Sequence, residues 1–369
     1  MKKHQKHTNL EKRHIDNFAP NEFAFLGANC SVISDVVSQI SQTLSSYKLA
    51  YFDASHATEV EKNYFSKYVY HHQGNVEIQT TGAVNKFEQR LQFAQYDAVF
   101  INGNHYEGAK QILILDAKKE ASVLKRISQL SNIQFIIKLE EKTPIFDFLL
   151  EKYPNLKNKN CYSIHDIDKI STHINTLIKE KTPNTKGLVL VGGKSTRMGT
   201  DKALLDYYGV SQKEFASKLL EKNGVPTFYG VSAKTTEAKE IPDVFLNLGP
   251  FGSICSAFQK DPNSAWLVLA TDVPFVDDLL IKKLLHHRNS SKVATAIKGI
   301  DNQFPEPLIT IYEPKAYPIL LQYLAMGYSC PRKMLINSDV EIVEVANHFI
   351  RNINTPEEFE KAKKEIKGK

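Results

Sequence analysis

Two rhythms of apolar and polar positions alternate along the chain. Glu22–Gly27 (EFAFLG) is a short apolar run ending in glycine. Behind it Val32, Val36, Val37, Ile40 and Leu44 recur at helical spacing. Apolar runs of strand length return at Lys48–Asp53, Asp97–Asn102, Gln111–Asp116 and Ile133–Leu139, with helical stretches at Phe87–Phe93, Ala121–Leu130 and Asp166–Ile178. At Lys179–Gly187 (KEKTPNTKG) the helical pattern breaks on proline and asparagine, which marks a boundary. The rhythm then resumes. Strands are predicted at Gly187–Val191, Thr227–Ser232, Ala265–Ala270, Lys292–Ile297, Pro307–Tyr312 and Val340–Val345, and helices at Gln212–Asn223, Ser253–Gln259, Asp277–His287, Ala316–Leu324 and Pro356–Ile366. Strands that are apolar throughout and separated by helices belong to largely parallel sheets covered on both faces. The expected fold class is therefore α/β, with two three-layer α/β/α domains spanning 19–183 and 186–369 after a basic tail, 1–18. In such folds ligands gather beyond the carboxyl ends of the strands.

Composition narrows the function. The net charge of +6 would suit a nucleic-acid partner, but the ends account for it. Residues 1–14 and 361–369 each hold five basic residues against one glutamate, together more than the total, so the body between them is slightly acidic. A folded body without a basic excess lacks the footprint of phosphate-backbone binding, and no nucleic-acid partner is expected. The basic start has no apolar segment behind it, and no run reaches membrane-spanning length, so neither secretion nor a membrane is expected. Cys30, Cys161, Cys255 and Cys330 form no CxxC pair, which predicts reduced thiols, no zinc ribbon and a cytoplasmic location. The adjacent pairs His71-His72 and His286-His287 point different ways on any regular element and make poor joint ligands.

Chemistry concentrates in Leu190–Leu205, LVGGKSTRMGTDKALL. Gly193-Lys194-Ser195 looks like the end of a phosphate-binding P-loop, but the required first glycine would fall on Leu188, inside the strand. A different loop fits. Beyond the strand end at Leu190 and Val191, Gly192 and Gly193 let backbone approach a base or ribose. Ser195 and Thr196 supply hydroxyls, and Arg197 and Lys202 place two cations where a triphosphate loses pyrophosphate. Farther on, Leu267–Ala270 ends in Thr271-Asp272, with Pro274 following. A carboxylate at a strand tip suits Mg²⁺ held against phosphate oxygens, while Asp277 and Asp278 suit the cap of the next helix.

This frame resembles the signature of the molybdenum cofactor nucleotidyltransferases, L-A-G-G-x-S-x-R-M-G-x-D-K, with Val191 in place of alanine. The resemblance covers the second half and implies a Rossmann-like nucleotidyltransferase fold. It also implies transfer of GMP from GTP to molybdopterin with release of pyrophosphate, and Mg²⁺ as cofactor. Arg197, Lys202 and Asp272 would be catalytic, and Leu190, Val191, Gly192, Gly193, Ser195, Lys202, Asp243 and Gly249 would bind nucleotide. Gly192 tilts the likeness towards guanine. Ser232 or Lys234 stands where the family's guanine-contacting asparagine belongs, which leaves cytidylyl transfer from CTP open. A non-catalytic module holding nucleotide or pterin is the reading from another class. Glu306, near the family's acceptor pocket, either touches substrate or is solvated. Asn352 and Asn354 match the family's N-x-N-T-P-E ending; one supports metal or acceptor, or both serve the turn. Thr355, Pro356 and Glu358 themselves predict a capping box. Partners would be GTP, molybdopterin and other proteins of that pathway or the molybdoenzymes it serves. The first half weakly resembles the molybdopterin-guanine dinucleotide adaptor, a P-loop protein. Its Gly27 loop lacks the lysine, so no NTP hydrolysis is expected there.

Overall fold

The computed structural model describes residues 21–56, 64–81, 85–191, 201–232 and 236–368. The chain forms two compact units, residues 1–181 and 182–369.

In the first unit the elements run β1 (Glu22–Leu26), α1 (Cys30–Thr43), β2 (Leu49–Phe52), β3 (Lys67–Tyr70), β4 (Val76–Gln79), α2 (Lys86–Phe93), β5 (Ala98–Asn102), β6 (Lys110–Leu115), α3 (Glu120–Lys125), β7 (Ile133–Lys138), α4 (Asp147–Lys152), β8 (Cys161–Ser163) and α5 (Ile167–Lys179). Six strands form one parallel sheet in the order β2-β5-β1-β6-β7-β8. Both faces are covered. Phe23 and Phe25 of β1 pack with Ile33, Val36 and Ile40 of α1 and with Ile170 and Ile174 of α5. Opposite them, Leu26 and Leu113 pack with Val123 of α3 and Leu149 of α4, and Ala24 and Ile101 with Phe93 of α2. Period-two burial on two faces explains why the central strands carry consecutive apolar residues. The helix expected over Ala121–Leu130 divides instead into α3 and a 3-10 turn at Ile127–Gln129. At the break Arg126 turns its guanidinium to the carbonyls of Asn104 and Ser122. The antiparallel β3–β4 hairpin stands apart from the sheet, with residues largely exposed.

The second unit runs β9 (Thr185–Leu190), α6 (Gln212–Lys222), β10 (Thr227–Val231), β11 (Glu240–Pro242), α7 (Pro250–Lys260), β12 (Ala265–Ala270), α8 (Asp278–His286), β13 (Ala294–Gly299), β14 (Glu306–Tyr312), α9 (Ala316–Ala325), α10 (Pro331–Ile336), β15 (Val340–Val345) and α11 (Pro356–Lys367). Its sheet has the order β11-β10-β9-β12-β14-β13-β15, parallel except for β14, which runs against both neighbours. Alternation again splits each strand between two cores. Val189, Leu267 and Leu269 meet α6 and α8, whereas Leu188, Trp266 and Val268 meet α7, α9 and α10. Each unit is a three-layer α/β/α sandwich, so the expected α/β class holds for both. Among the described residues no helix is long and apolar enough to cross a membrane.

One buried ion pair anchors the edge of this sheet where β9 begins and β14 ends. Arg288 donates Nε and Nη2 to the two carboxylate oxygens of Glu313, at 2.7 and 2.8 Å, and its other amino group to Thr185 Oγ1. Glu313 is fully buried.

Candidate active site

The register of the second sheet decides which residues meet. Leu190 lies beside Gly230 and Ala270, and Gly230 beside Ile241. Val191, Val231, Pro242 and Thr271 are therefore the next row, at one carboxyl edge. Because β14 is antiparallel, it starts at this same edge, bringing Glu306 beside the end of β12. The edge thus collects loops from five strands.

At its centre, Thr271 donates its hydroxyl to the Leu190 carbonyl at 3.3 Å, tying the ends of β9 and β12 together. Asp272 follows. Its carbonyl accepts from the Ile353 amide at 2.8 Å, which docks the segment before α11 against the β12 tip. Lys202, in a single 3-10 turn capped by Asp201, reaches the same place. Its Nζ lies 2.7 Å from Asn354 Oδ1 and 3.5 Å from Asp272 Oδ2. Asn354 is held in turn by the predicted capping box: Glu358 Oε2 accepts from the Asn354 and Thr355 amides, and Thr355 Oγ1 accepts from the Glu358 amide. The capping box and the site are one device, since the cap presents Asn354. Asn352 is exposed. Beneath, Tyr207, Phe275, Ile353 and Ala362 pack α11 onto the Asp272 loop. The Tyr207 hydroxyl is buried with no hydrogen-bond partner. Burial first, then the carboxylates of Asp272 and Glu358, push its ionisation upward, so it stays a neutral phenol.

Two further acids flank this centre. Glu306 is buried and accepts from Arg332 Nη2 at 2.9 Å, while Arg332 Nε donates to the Pro305 carbonyl. Burial pushes its carboxyl above the usual range; Arg332 opposes the shift, and the nearby Asp272 charge adds to it. The sign for stability follows. A carboxyl raised in the folded state contributes stability below its unfolded value near 4.5, and that contribution is lost as pH rises through the folded value. Glu306→Gln is accordingly expected to gain on the wild type in Tm as pH rises above the unfolded value near 4.5. A Tm difference that stays flat with pH contradicts this. Asp243, just past β11, accepts from Ser253 Oγ at 2.7 Å, and burial raises its carboxyl against that bond. A side chain on Gly230 would touch Leu190 and Ser253, so the Asp243–Ser253 pair sits over the ends of β9 and β10. Ser253 belongs to α7, which starts at Pro250, earlier than its sequence pattern suggests. Gly249 caps it at φ +57°, a left-handed conformation that favours glycine.

Residues 187–340 match the MobA-like NTP transferase domain. A molybdenum cofactor guanylyltransferase of Xanthomonas euvesicatoria is 31% identical over 180 residues, 47% of this chain and 91% of that one. The chain belongs to the MobA-like NTP transferase family. A molybdenum cofactor biosynthesis bifunctional protein of Synechocystis is 34% identical over 218 residues, 53% of this chain; the match spans 62% of that relative's length. Among solved structures, a molybdopterin-guanine dinucleotide biosynthesis protein A from Archaeoglobus fulgidus has 24% identity and a TM-score of 0.42, covering 50% of this chain and all of that one.

Of the residues singled out in the sequence, the structure of this MobA-like transferase brings Lys202, Asp272 and Asn354 into contact, with Glu306 close enough to feel the Asp272 charge. Leu190, Val191, Asp243 and Gly249 lie along the same edge. Gly192, Gly193, Ser195, Arg197 and Lys234, like the 1–18 tail, lie outside the described residues. Arg332 was not anticipated. Its one signal was position, directly after a proline that starts a helix.

Proposed function

We propose that this chain is a molybdenum cofactor guanylyltransferase: the terminal phosphate of molybdopterin attacks the α-phosphate of GTP, a new phosphoanhydride forms, and pyrophosphate leaves. One observation carries the reading. Lys202, Asp272 and Asn354, from three separate segments, converge at the carboxyl edge of a MobA-like sheet, where Leu190 and Val191 lead into the glycine loop. The names of the relatives supply guanylyl transfer and the molybdenum cofactor; the pterin acceptor rests on the resemblance of the sequence signature.

In this reading Lys202 offsets charge on the departing pyrophosphate, Arg197 shares that task, and Asn354 holds the ammonium in position. The loop glycines, Asp243 and Gly249 seat the nucleotide. Arg332 and the buried Glu306 face the acceptor side. Ionised phosphate needs no side-chain base, so positioning and charge supply the rate. The donor set fits Mg²⁺. Asp272 offers a partly exposed carboxylate whose lysine stands 3.5 Å away, leaving its oxygens able to meet a hard cation. Mg²⁺ bound there would supply Lewis-acid stabilisation of phosphate oxygens.

The test is pyrophosphate release from GTP, measured with and without molybdopterin and with and without Mg²⁺. Release that requires both supports the proposal, and release without the pterin removes it. Lys202→Ala is expected to lower the pterin-dependent rate about 100-fold. A variant within twofold of wild type contradicts the role given to Lys202.

A further inference from the structure

Far along the chain from the transferase site, the first unit brings together three side chains of metal-binding chemistry. Cys30, His56 and His105 each follow a different strand, respectively β1, β2 and β5, and those strands are neighbours in the parallel sheet. Their ligand atoms all lie within 4.8 Å of one another. Cys30 Sγ is 3.6 Å from His56 Nε2 and 3.3 Å from His105 Nε2. Zinc bonds of about 2.3 Å to sulfur and about 2.0–2.1 Å to nitrogen, at tetrahedral angles, put ligating S and N about 3.6 Å apart. The two rings meet edge to face with centroids 4.8 Å apart, so both nitrogens turn to the thiol.

The surroundings agree with a cation. Cys30 is the first residue of α1, a helix of 14 residues with no acidic side chain in its first turn. Behind the histidines, Asp53 is charge-coupled to His105. Burial opposes its ionisation, but the Tyr51 hydroxyl, the Asn102 amide, the Ala54 amide and His105 together hold its carboxyl below the usual range. Asn102 is fully buried at the end of β5, beside Tyr51 and Asp53. Asn104 bridges to the Ala28 carbonyl and fixes the β5 loop against the β1 loop.

We infer that Cys30, His56 and His105 form a binding site for Zn²⁺, with one thiolate and two imidazole ligands. Cys30 is half-buried and both histidines are exposed, so a fourth position opens to solvent. Three protein ligands with an open position suit a water or an incoming donor, unlike a closed four-ligand structural site. Binding exchanges the Cys30 thiol proton for the ion: a Zn–S bond forms, an S–H bond breaks, and one proton passes to solvent.

The experiment uses the full chain, stripped of metal and titrated with Co²⁺. Thiolate-to-Co²⁺ charge transfer in the near ultraviolet reports sulfur ligation specifically, which matters because residues 1–14 hold His4, His7 and His14 but no cysteine. The expected result is a band saturating at one Co²⁺ per chain, bleached by Zn²⁺ and absent in Cys30→Ser. His56→Ala or His105→Ala should weaken the binding at least tenfold, with circular dichroism and Tm of the metal-free variants unchanged. Zn²⁺ should also raise the Tm of the wild type but not of Cys30→Ser. No band in the wild type overturns the proposal, as does a band that survives in Cys30→Ser or is indifferent to both histidine variants.

Discussion

Asp272→Asn is expected to cut pterin-dependent pyrophosphate release by about 10²–10³-fold while the protein stays folded. The substitution preserves shape, so the Ile353 amide still finds the residue's carbonyl and α11 remains docked. What disappears is the negative charge. Without it the edge keeps Lys202 but loses the carboxylate proposed to hold a divalent ion. The effect should fall on kcat, because charge that matters as pyrophosphate departs acts in the transition state. Nucleotide affinity, measured directly, should change much less. A variant with wild-type turnover would remove Asp272 from the mechanism, and one with lowered Tm and lost activity would make its role structural.

The second large effect is on stability. Glu313→Ala leaves the mostly covered Arg288 guanidinium without its carboxylate, and breaking a buried pair by removing one partner costs about 3–5 kcal/mol. For a domain of this size the expected fall in Tm is about 6–20 °C. Arg288→Met combined with Glu313→Leu should recover most of it, since replacing both charges avoids the stranded ion. Transferase activity at a permissive temperature should survive, because the pair lies at the start of β9 and the end of β14, the opposite edge from Asp272. A fall of less than 2 °C, or a double variant no better than the single, contradicts this account.

Most strands were legible because both faces of the sheets are covered, which gives their central stretches consecutive apolar residues. The β3–β4 hairpin was not, since exposed positions such as Tyr68, Tyr70 and Ile78 follow no core-facing rule. In the site, Asp272 announced itself as a carboxylate at a strand tip before proline, and Thr355 and Glu358 as a capping box. Their joint consequence, Asn354 reaching Lys202 across 152 residues of sequence, depends on tertiary placement. Arg332 was hidden for the same reason: the sequence leaves Glu306 either at substrate or in solvent, and only the fold pairs it with Arg332 of α10. The Cys30–His56–His105 group shows the limit most clearly. Its members are 26 and 49 residues apart, with no spacing motif, and only the order β2-β5-β1 makes them neighbours. Gly27, which stood where a P-loop glycine would, has a packing reason instead: a side chain there would lie 2.3 Å from the Ile114 carbonyl oxygen.

The central claim is the transfer of a guanylyl group to a pterin. The direct measurement is label transfer from α-phosphate-labelled GTP or CTP into the molybdopterin product, with pyrophosphate followed in parallel. The account predicts one label incorporated per pyrophosphate released, with GTP at least tenfold faster than CTP. Faster transfer from CTP would reassign the base, and no incorporation from either nucleotide would contradict the claim of catalysis.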